Sequence, residues 1–401
     1  AMQKKAIPDS TSDIIVVGAG PAGLSFCRAL AGSGLKVTVF EKHPLAVLKD
    51  PPYDGREIAL THLSRETMQN LGMWARVPEA EIYKLRDARV LDGGSSKQLH
   101  FPQPSRARGK PADSLGFLIS NHNIRRAAYE EVETLPDVAV HAEKTVRNVQ
   151  VAAEHVSVTL DDGSSHRARL IVAADSRFSD IRHQLGIPAD MHDFGRTVIV
   201  FRMRHTESNE HTAYECFHYG RTLALLPLEE KLTNCVVTLD SQLADDFNKQ
   251  SPETLAAEIE KMLEGRLGSM TLASSMHTYP LIGMHARRFH GKRSALVGDA
   301  AVGMHPVTAH GFNLGLKSAA LLAKLVTNAH RAGRDIGSAS LLEGYTARHM
   351  LSTRPIYHGT NFVVKLFTNE TPPARLLRQF VVRASDHLLP LKKLISHQLT
   401  G

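Results

Sequence analysis

The chain has 401 residues, of which 42% are hydrophobic and 22% charged, the balance of an ordinary globular protein. This length predicts at least two domains, and no apolar stretch reaches the roughly 18 residues that a transmembrane helix needs. The formal net charge is +7, but no nucleic-acid-binding signature accompanies it. The three cysteines have no metal-ligand or redox spacing, so we predict no metal site and a reducing, cytoplasmic location.

The first elements along the chain predict a βαβ unit. Asp13 to Val17 is an apolar, β-branched strand, Pro21 to Ala31 is a helix, and Val37 to Glu41 is a second strand. The turn between the first strand and the helix reads Gly18-Ala19-Gly20-Pro21-Ala22-Gly23. Glycines in this position, between a strand and a helix, predict a dinucleotide-binding turn, although the spacing does not decide between NAD and FAD.

Each glycine of the turn has its own predicted task. Gly18 permits the tight turn, Gly20 lets the backbone approach a pyrophosphate, and Gly23 lets the helix lie close to the strand. The N-terminus of the helix adds free N–H groups and a partial positive charge for the phosphates. At the end of the second strand, Glu41 can accept hydrogen bonds from the adenosine ribose. We include the adjacent Lys42 among the expected cofactor-binding residues.

Beyond this unit the pattern predicts a longer α/β domain that is interrupted by a second lobe. Residues 44–56 and 101–114 have the composition of loops. Helices are predicted at Ser64–Leu71 and Asn123–Glu133, and strands at Val138–Ala142, Thr145–Val151, Val156–Leu160 and Leu170–Ala174. From Arg196 to Phe289, alternating strands (the first Thr197–Arg204) surround one helix near Pro252–Glu264, which predicts an inserted α+β lobe.

A second motif follows that lobe. The segment Ser294-Ala295-Leu296-Val297-Gly298-Asp299-Ala300-Ala301 is a short apolar strand that ends in Gly-Asp, and a helix is predicted from Phe312 to His330. Residues 341–401 are predicted to be mainly helical, with breaks at Pro355, Pro372–Pro373 and Pro390.

With this second motif the chain resembles the aromatic-hydroxylating flavoprotein monooxygenases of the para-hydroxybenzoate hydroxylase type. Their motif of Gly-Asp-Ala-Ala, then Pro, then Gly-x-Asn-x-Gly is matched at Gly298–Ala301, Pro306 and Gly311–Gly315. The resemblance implies that Asp299 contacts the ribityl chain of FAD. It also implies that the amides near Gly311, Phe312 and Asn313 face the flavin N1/O2 edge. A helix N-terminus suits that edge because reduced flavin is negative there.

Two further segments carry the resemblance. The family's middle motif, Asp-Gly-x-x-Ser-x-x-Arg, is matched at Asp175, Ser179 and Arg182, with Ser in place of Gly, and is linked to binding of FAD and reduced nicotinamide. Arg56 in the segment Asp-Gly-Arg-Glu is expected beside the flavin and its pyrophosphate, since a guanidinium fork suits that anion. Asn121 lies where the family contacts flavin before a helix.

The resemblance extends over about residues 13–395 and is closest to the ubiquinone-biosynthesis hydroxylases. Some positions depart from that subfamily: Val302 stands where His is usual, Ala309-His310 where Gly-Gln is usual, and Lys317-Ser318 where Arg-Asp is usual. These changes lie around the expected isoalloxazine position. They bear on flavin mobility and on the ring position hydroxylated.

The fold that the resemblance implies is α/β. It consists of a Rossmann-type FAD-binding domain with an inserted α+β substrate domain, as in para-hydroxybenzoate hydroxylase, and a helical C-terminal region. We assign residues 10–75, 115–190 and 290–345 to the FAD-binding domain. Residues 76–114 and 191–289 are assigned to the substrate domain, and residues 346–401 to the helical region.

The resemblance also implies the reaction. It predicts hydroxylation of the aromatic ring of a polyprenyl phenol in ubiquinone biosynthesis, through a flavin C4a-hydroperoxide formed with NADH or NADPH and O₂. The alternatives are a hydroxylase of a soluble aromatic compound and a flavoprotein-fold structural subunit of a ubiquinone-biosynthesis complex. The Gly-Asp motif is not expected in a plain NAD-dependent dehydrogenase. Flavin-dependent halogenases have a Trp-x-Trp motif, which this chain lacks because Trp74 is its only Trp.

The sequence leaves open which residue acts as the base and what the basic C-terminal segment does. A base that activates the phenol is not identified, and His305, His310, His218 and Tyr219 are candidates by residue type only, with His310 preferred for its place beside the flavin helix. The segment Arg375–Gly401 has five Lys or Arg and one acid among apolar residues. It predicts either a packed helix with a basic face or peripheral binding to anionic lipid at the inner membrane.

Overall fold

The computed structural model describes residues 7–92, 98–101, 106–107, 110–111, 113–218, 221–304 and 310–368. Its α-helices are α1 (Pro21–Ala29), α2 (Leu45–Lys49), α3 (His62–Asn70), α4 (Asn121–Glu133), α5 (Asp180–Gln184), α6 (Ala244–Asn248), α7 (Pro252–Met262), α8 (His310–Arg331) and α9 (Ala339–Thr368). Short 3-10 turns lie at Trp74–Arg76, Glu79–Glu81, Ser241–Leu243 and Gly298–Ala300.

The strands of the first half are β1 (Ser10–Thr11), β2 (Ile14–Val17), β3 (Val37–Phe40), β4 (Glu57–Leu60), β5 (Tyr83–Leu85), β6 (Asp87–Asp92), β7 (Gln98–Phe101), β8 (Arg106–Ala107), β9 (Lys110–Pro111), β10 (Gly116–Ser120), β11 (Val138–His141) and β12 (Val146–Val151). Those that follow are β13 (Val156–Leu160), β14 (Ser165–Ala168), β15 (Leu170–Ala173), β16 (Ala189–His205), β17 (Thr212–His218), β18 (Arg221–Pro227), β19 (Leu232–Asp240), β20 (Met270–Leu272), β21 (His277–Ala286), β22 (His290–Gly291), β23 (Ser294–Leu296) and β24 (Val302–Gly303).

A mostly parallel sheet forms the core of the first lobe. Its order is β11-β3-β2-β15-β23-β22, and β22 pairs antiparallel at the edge. The central strands are continuous apolar runs, fully buried at Ile14–Val16 and Leu170–Ala173, as expected for strands covered on both faces. Because β2, β15 and β23 are parallel, the turns after them meet at one edge of the sheet. Those turns contain the three predicted flavin motifs.

A larger mixed sheet forms the second lobe. Its order is β24-β21-β16-β19-β18-β17-β6-β7, and β20 also pairs with β16. One face packs against α6 and α7 in a buried apolar cluster that includes Phe247 and Ile259. The other face carries a separate cluster around Val200 and Val236, and these two side chains face the same cavity as the first lobe's glycine turn.

Strand β16 is much longer than the predicted Thr197–Arg204, and its partner β21 was not predicted. The first part of β16 pairs with the end of β21, and the register shifts between Asp193 and Thr197. This part has polar, partly exposed residues and Gly195, so no local alternation marks it as a strand. The hydrogen bonds of this part of β16 come from pairing with a strand far away in the sequence, and the local sequence does not indicate such pairing.

The predicted helix break at Pro355 is wrong, because α9 continues through this residue to Thr368. A proline removes the hydrogen bond to the carbonyl four residues earlier, here that of Leu351. Both Leu351 and Pro355 lie on the exposed side of the helix, where water can take the place of the lost donor. The predicted breaks at Pro372–Pro373 and Pro390 lie outside the described residues. Within the described ranges, no helix is both long and apolar enough to cross a bilayer.

Candidate active site

A cavity of about 1190 Å³, lined by described residues of both lobes, lies between them. Its walls include the first glycine turn at Gly20, the middle motif at Asp175 and the second motif at Asp299. The opposite wall is the apolar face of the large sheet, represented by Val200 and Val236. Three segments that are distant in sequence therefore reach one space.

The glycine turn has the geometry that its sequence predicts. Gly18 has a φ of +108°, and a Cβ there would lie 2.3 Å from the carbonyl oxygen of Ala174. A Cβ on Gly23 would lie 2.4 Å from the Gly18 carbonyl oxygen, so α1 can lie against the strand only with glycine. A Cβ on Gly20, by contrast, would meet no protein atom within 4 Å, because this position faces the open cavity. Gly20 thus leaves room for a ligand, at the N-terminus of α1.

The end of β3 supplies polar groups to the same side of the cavity. The Glu41 carboxylate accepts hydrogen bonds from the Ala19 amide at 2.6 Å and pairs with His43 Nδ1 at 2.8 Å. Glu41, Lys42 and His43 all line the cavity, as does Lys144, which pairs with Asp162 at 2.9 Å. Glu41 therefore braces the glycine turn as well as facing the ligand space.

The second motif packs directly on the first. Gly298 has a φ of +60°, and a Cβ there would lie 2.7 Å from the Ala22 side chain in α1. A Cβ on Gly315 in α8 would lie 3.3 Å from the Gly298 Cα. Ser318, one of the departures from the subfamily, accepts a hydrogen bond from the Gly298 amide at 3.1 Å and donates to the Gly315 carbonyl at 2.6 Å. The small residues let α1, α8 and the Gly-Asp turn converge.

Asp299 projects from this turn into the cavity. Burial raises the pKa of its carboxyl, while the guanidinium groups of Arg56 and Arg177 act in the opposite direction. Both arginines also line the cavity. Asp299 is exposed to the cavity that it lines, where its carboxylate is available to accept hydrogen bonds from hydroxyl groups of a ligand.

Arg56 is held at the cavity wall by a local network. Its Nη2 donates to Asp54 Oδ2 at 3.0 Å, and Asn121 Nδ2 donates to the same oxygen at 2.8 Å. Burial opposes ionisation of Asp54, but Arg56 and Asn121 together lower its pKa. The Arg56 guanidinium also lies 5.5 Å from the ring centre of Tyr279, a residue of the large sheet.

The middle motif forms a capped turn after β15. Ser179 donates to Asp175 Oδ1 at 2.6 Å and accepts from the Arg182 amide at 3.0 Å, which caps α5. Arg182 is buried and its Nη1 donates to the Arg177 carbonyl at 2.9 Å. Burial raises the pKa of Asp175, and the hydrogen bond from Ser179 opposes that rise. Of the three predicted motif residues, Asp175 alone lines the cavity.

Most of the predicted cofactor-binding residues meet at this cavity. The predicted residues that line it are Gly18, Gly20, Glu41, Lys42, Arg56, Asn121, Asp175, Asp299, Gly311 and Phe312. Three predicted residues do not line it: Gly23, Asn313 and His310. The Asn313 side chain instead joins α8 to β4, donating to the Ala59 carbonyl at 2.9 Å. His310 begins α8, and His305 and Tyr219 lie outside the described residues.

Sequence reasoning missed several cavity residues. Arg125 lies one helical turn after Asn121 on α4, so helical spacing could have indicated it. Asn234 and Tyr279 belong to strands of the large sheet and reach the cavity only through its pairing. No local signal marks these two residues.

The arrangement fits an FAD molecule. Gly20 leaves open space at a helix N-terminus for a pyrophosphate, and the Gly-Asp turn faces the same space at its other side. Arg56, Arg125 and Arg177 add positive charge along the walls. The fold and site define a flavoprotein of two lobes, and the chain belongs to the FAD-binding domain family, which it matches over residues 11–354.

Two related proteins make the assignment within this family more specific. The chain is 64% identical over 390 residues to the ubiquinone hydroxylase UbiM of Neisseria meningitidis serogroup C, with 97% of this chain and 85% of that protein covered. It is 32% identical over 393 residues to the ubiquinone hydroxylase UbiL of Rhodospirillum rubrum, with 98% and 90% covered. The resemblance to ubiquinone-biosynthesis hydroxylases that the motifs predicted is thereby confirmed.

Solved structures agree on the fold. The p-nitrophenol 4-monooxygenase PnpA of Pseudomonas putida superposes with a TM-score of 0.77 at 16% identity, covering 98% of this chain and 99% of that one. PqsL of Pseudomonas aeruginosa, described as a probable FAD-dependent monooxygenase, gives a TM-score of 0.74 at 20% identity, covering 92% and 99%. The predicted α/β fold class is confirmed.

Proposed function

We propose that this protein is an FAD-dependent monooxygenase that hydroxylates the aromatic ring of a polyprenyl phenol in ubiquinone biosynthesis, with NADH or NADPH and O₂ as co-substrates. The observation that carries the proposal is the convergence of Gly20 and Asp299 on one cavity that is also lined by apolar side chains of the large sheet. The 64% identity to a ubiquinone hydroxylase supports the choice of substrate class.

Bound FAD supplies the redox chemistry and the activation of O₂. The chain's residues bind and orient it. The backbone at Gly20 and the N-terminus of α1 receive the pyrophosphate, and Glu41 with Lys42 serves the adenosine end. Asp299 accepts hydrogen bonds from the ribityl hydroxyls. Arg56, fixed by Asp54 and Asn121, adds positive charge beside the cofactor.

The amides at the start of α8 face the isoalloxazine in this proposal. Gly311 and Phe312 line the cavity at the N-terminus of that helix, and Asn313 anchors the helix to β4. A helix N-terminus stabilises negative charge on a nearby ligand because its free N–H groups and dipole point outwards. Asp175, at the edge of the sheet, contributes a further acceptor to the same cofactor site.

The large sheet forms the substrate side. Val200, Leu226 and Val236 line the cavity there and exclude water from the ring and its prenyl chain. His310 remains our candidate for the proton acceptor: it does not line the cavity itself, but it directly precedes Gly311, which does. Burial lowers the pKa of its imidazole, which keeps it neutral and able to take up a proton at neutral pH.

A polyprenyl substrate resides in the membrane, so we extend the proposal to cellular location. The protein would act from the cytoplasm as a peripheral protein at the inner membrane face, held there by the basic segment Arg375–Gly401 or within a ubiquinone-biosynthesis complex. The net charge of +7 is compatible with an anionic lipid surface.

The test combines biochemistry and genetics. Purified protein should be yellow, and a prenylated phenol should stimulate its oxidation of NADH or NADPH with formation of the hydroxylated product. Expression in cells that lack each ubiquinone hydroxylase in turn should remove one accumulated quinone precursor. A yellow protein that hydroxylates only soluble phenols would instead identify a soluble-aromatic hydroxylase. A colourless protein that binds no FAD would leave the structural-subunit alternative.

A further inference from the structure

One side chain on the substrate side of the cavity has an unused hydrogen-bonding atom. Asn234 on β19 is fully buried and lines the cavity, and its Oδ1 has no hydrogen-bond partner in the part of the chain that the structure describes. Among the described residues that line this cavity, no other has a buried side-chain nitrogen or oxygen without a partner. A buried carbonyl oxygen left without a donor destabilises the fold, so its presence at a ligand cavity calls for an explanation.

The orientation of the Asn234 amide is set by the backbone beside it. Nδ2 donates to the carbonyl oxygen of Gly55 at 3.4 Å. Exchange of the two amide atoms would place two carbonyl oxygens against each other, so Oδ1 is the atom directed away from Gly55. Gly55 itself cannot move back, because it lies close to the sheet: a Cβ there would be 2.7 Å from Val200 Cγ2 and 2.9 Å from His277 Cδ2.

Among the described residues, the two cross-strand neighbours of Asn234 offer no donor to its oxygen. Its cross-strand neighbour on β18 is Leu226, which is apolar. Its neighbour on β16 is Arg202, but that guanidinium is engaged by Glu57 through Nε at 3.2 Å and by Ser120 through Nη2 at 2.9 Å. In this structure Oδ1 has almost no accessible surface, so contact with a ligand requires a small shift of the side chains that cover this oxygen.

We propose that Asn234 Oδ1 accepts a hydrogen bond from a ring hydroxyl of the phenolic substrate and thereby selects which ring carbon faces the cofactor. This inference rests on the proposed function and adds a specificity-determining residue to it. A carboxamide is neutral and takes up no proton at working pH, so Asn234 orients the ring and leaves proton transfer to another group. The apolar neighbours strengthen the hydrogen bond because they exclude competing water.

The test measures substrate binding to the FAD-loaded protein through the change in flavin absorbance. The probes are a phenol with one ring hydroxyl and a short prenyl chain, and the analogue with hydrogen in place of that hydroxyl. Wild-type protein should bind the phenol about 10- to 100-fold more tightly than the analogue. Asn234→Leu, of similar size, should bind both with similar Kd, and should form less hydroxylated product for each NADH or NADPH oxidised.

Thr238→Val is the matched control. Thr238 lies on the same strand and face, is buried, and also has an oxygen without a partner, but it does not line the cavity. This variant should keep the preference for the phenol. If Asn234→Leu does not fold, Asn234→Ala removes the same oxygen with a smaller side chain and should likewise bind both probes with similar Kd.

Four results would separate the possibilities. An unchanged preference in Asn234→Leu or in Asn234→Ala would overturn the inference. A shifted flavin spectrum in substrate-free Asn234→Leu would also overturn it, because the amide would then face the cofactor. Wild-type protein that binds FAD but no phenol would instead contradict the proposed function itself.

Discussion

At the scale of single residues, the glycines of the first turn have different physical roles. Gly18 and Gly23 are required by the protein itself, since a Cβ at either would lie within 2.4 Å of a carbonyl oxygen. Gly20 faces open space and has an extended backbone with a φ of −79°, which any residue adopts. A larger side chain in place of Gly20 would therefore occupy space that the ligand needs, without a clash with the rest of the protein.

This difference gives the first prediction. Gly20→Val should weaken FAD binding by at least about 100-fold, equivalent to roughly 3 kcal/mol, because the new methyl groups fill the space for the pyrophosphate. The measurement is titration of apoprotein by flavin fluorescence, with the melting temperature of the apoprotein as a check on folding. Gly344→Val in α9, where a Cβ also meets open space, is the control and should bind FAD normally. Unchanged affinity in Gly20→Val would remove the pyrophosphate role.

Asp299 carries the second prediction. Asp299→Ala should purify without flavin, because the ribityl hydroxyls lose their acceptor in a cavity where water is a poor substitute. Asp299→Asn keeps one acceptor oxygen and should retain part of the flavin. The ratio of flavin to protein absorbance after gel filtration measures both. A stoichiometric yellow Asp299→Ala protein would contradict the proposed contact.

The sequence predicted these residues, but not Asn234. The glycine turn and the Gly-Asp turn are local: strand, turn and helix are adjacent in the chain, so their spacing carries the geometry. Asn234 lies in a strand whose side chains alternate between two buried faces. Which face meets the cavity depends on the pairing of strands far apart in sequence, and residue type alone does not reveal it.

At the scale of elements, α9 shows what tertiary packing adds to local preference. The proline that predicts a break lies on the exposed side, while the buried side carries Tyr345, His349 and Thr353 and contacts both the parallel sheet and the large mixed sheet. The Tyr345 hydroxyl donates to the Leu296 carbonyl at 2.6 Å, and His285 Nε2 lies 3.0 Å from Thr353 Oγ1. These contacts stabilise the helix on both sides of Pro355, so that it continues through the proline.

His349 in α9 gives a prediction about pH. Burial, assisted by Lys317 and His285, lowers the pKa of its imidazole from 6.5 to about 4. The unfolded chain therefore takes up this proton first as the pH falls. The free energy of unfolding should decline from pH 6.5 downwards, by about 3 kcal/mol in total once the pH is below 4.

The measurement is urea unfolding between pH 7 and pH 4.5 for wild type, His349→Phe and His183→Phe. His349→Phe, which keeps a ring beside Tyr345, should show a shallower decline with falling pH. His183 is exposed, so the same substitution there should leave the decline unchanged. Equal slopes for wild type and His349→Phe would show that another group carries the acid sensitivity.

At the scale of the whole molecule, the two lobes are joined around the cavity by polar contacts. The Glu57 carboxylate in β4 pairs with Arg202 in β16, and Tyr279 in β21 donates to the Asp54 carbonyl. The proposed cofactor and substrate therefore share walls that come from both lobes. The residues on the cavity-facing side of the large sheet can be substituted without changes in the glycine turns, because the two walls belong to different parts of the chain.

The membrane proposal also belongs to this scale. Neutralising Arg378, Arg383, Lys392 and Lys393 with Gln should weaken binding to vesicles that contain anionic lipid, since each basic residue near such a surface contributes about 1 kcal/mol. Co-sedimentation at low and physiological salt measures the effect, and neutral vesicles provide the control. The same number of Gln substitutions at exposed basic residues elsewhere should have little effect. If the tail variant co-sediments like wild type, the segment has only a packing role.

The contact of Gly298 and Gly315 with Ala22 has a consequence for synthesis of the protein in the cell. The two halves of the dinucleotide site are separated by most of the chain, and they meet only when α8 packs on α1. A nascent chain still attached to the ribosome has no complete site until α8 has emerged, so it cannot capture the dinucleotide early. FAD therefore binds after most of the chain has been made, and the full-length protein without FAD, which lacks the stabilisation that the ligand gives, is the form that proteases should degrade first.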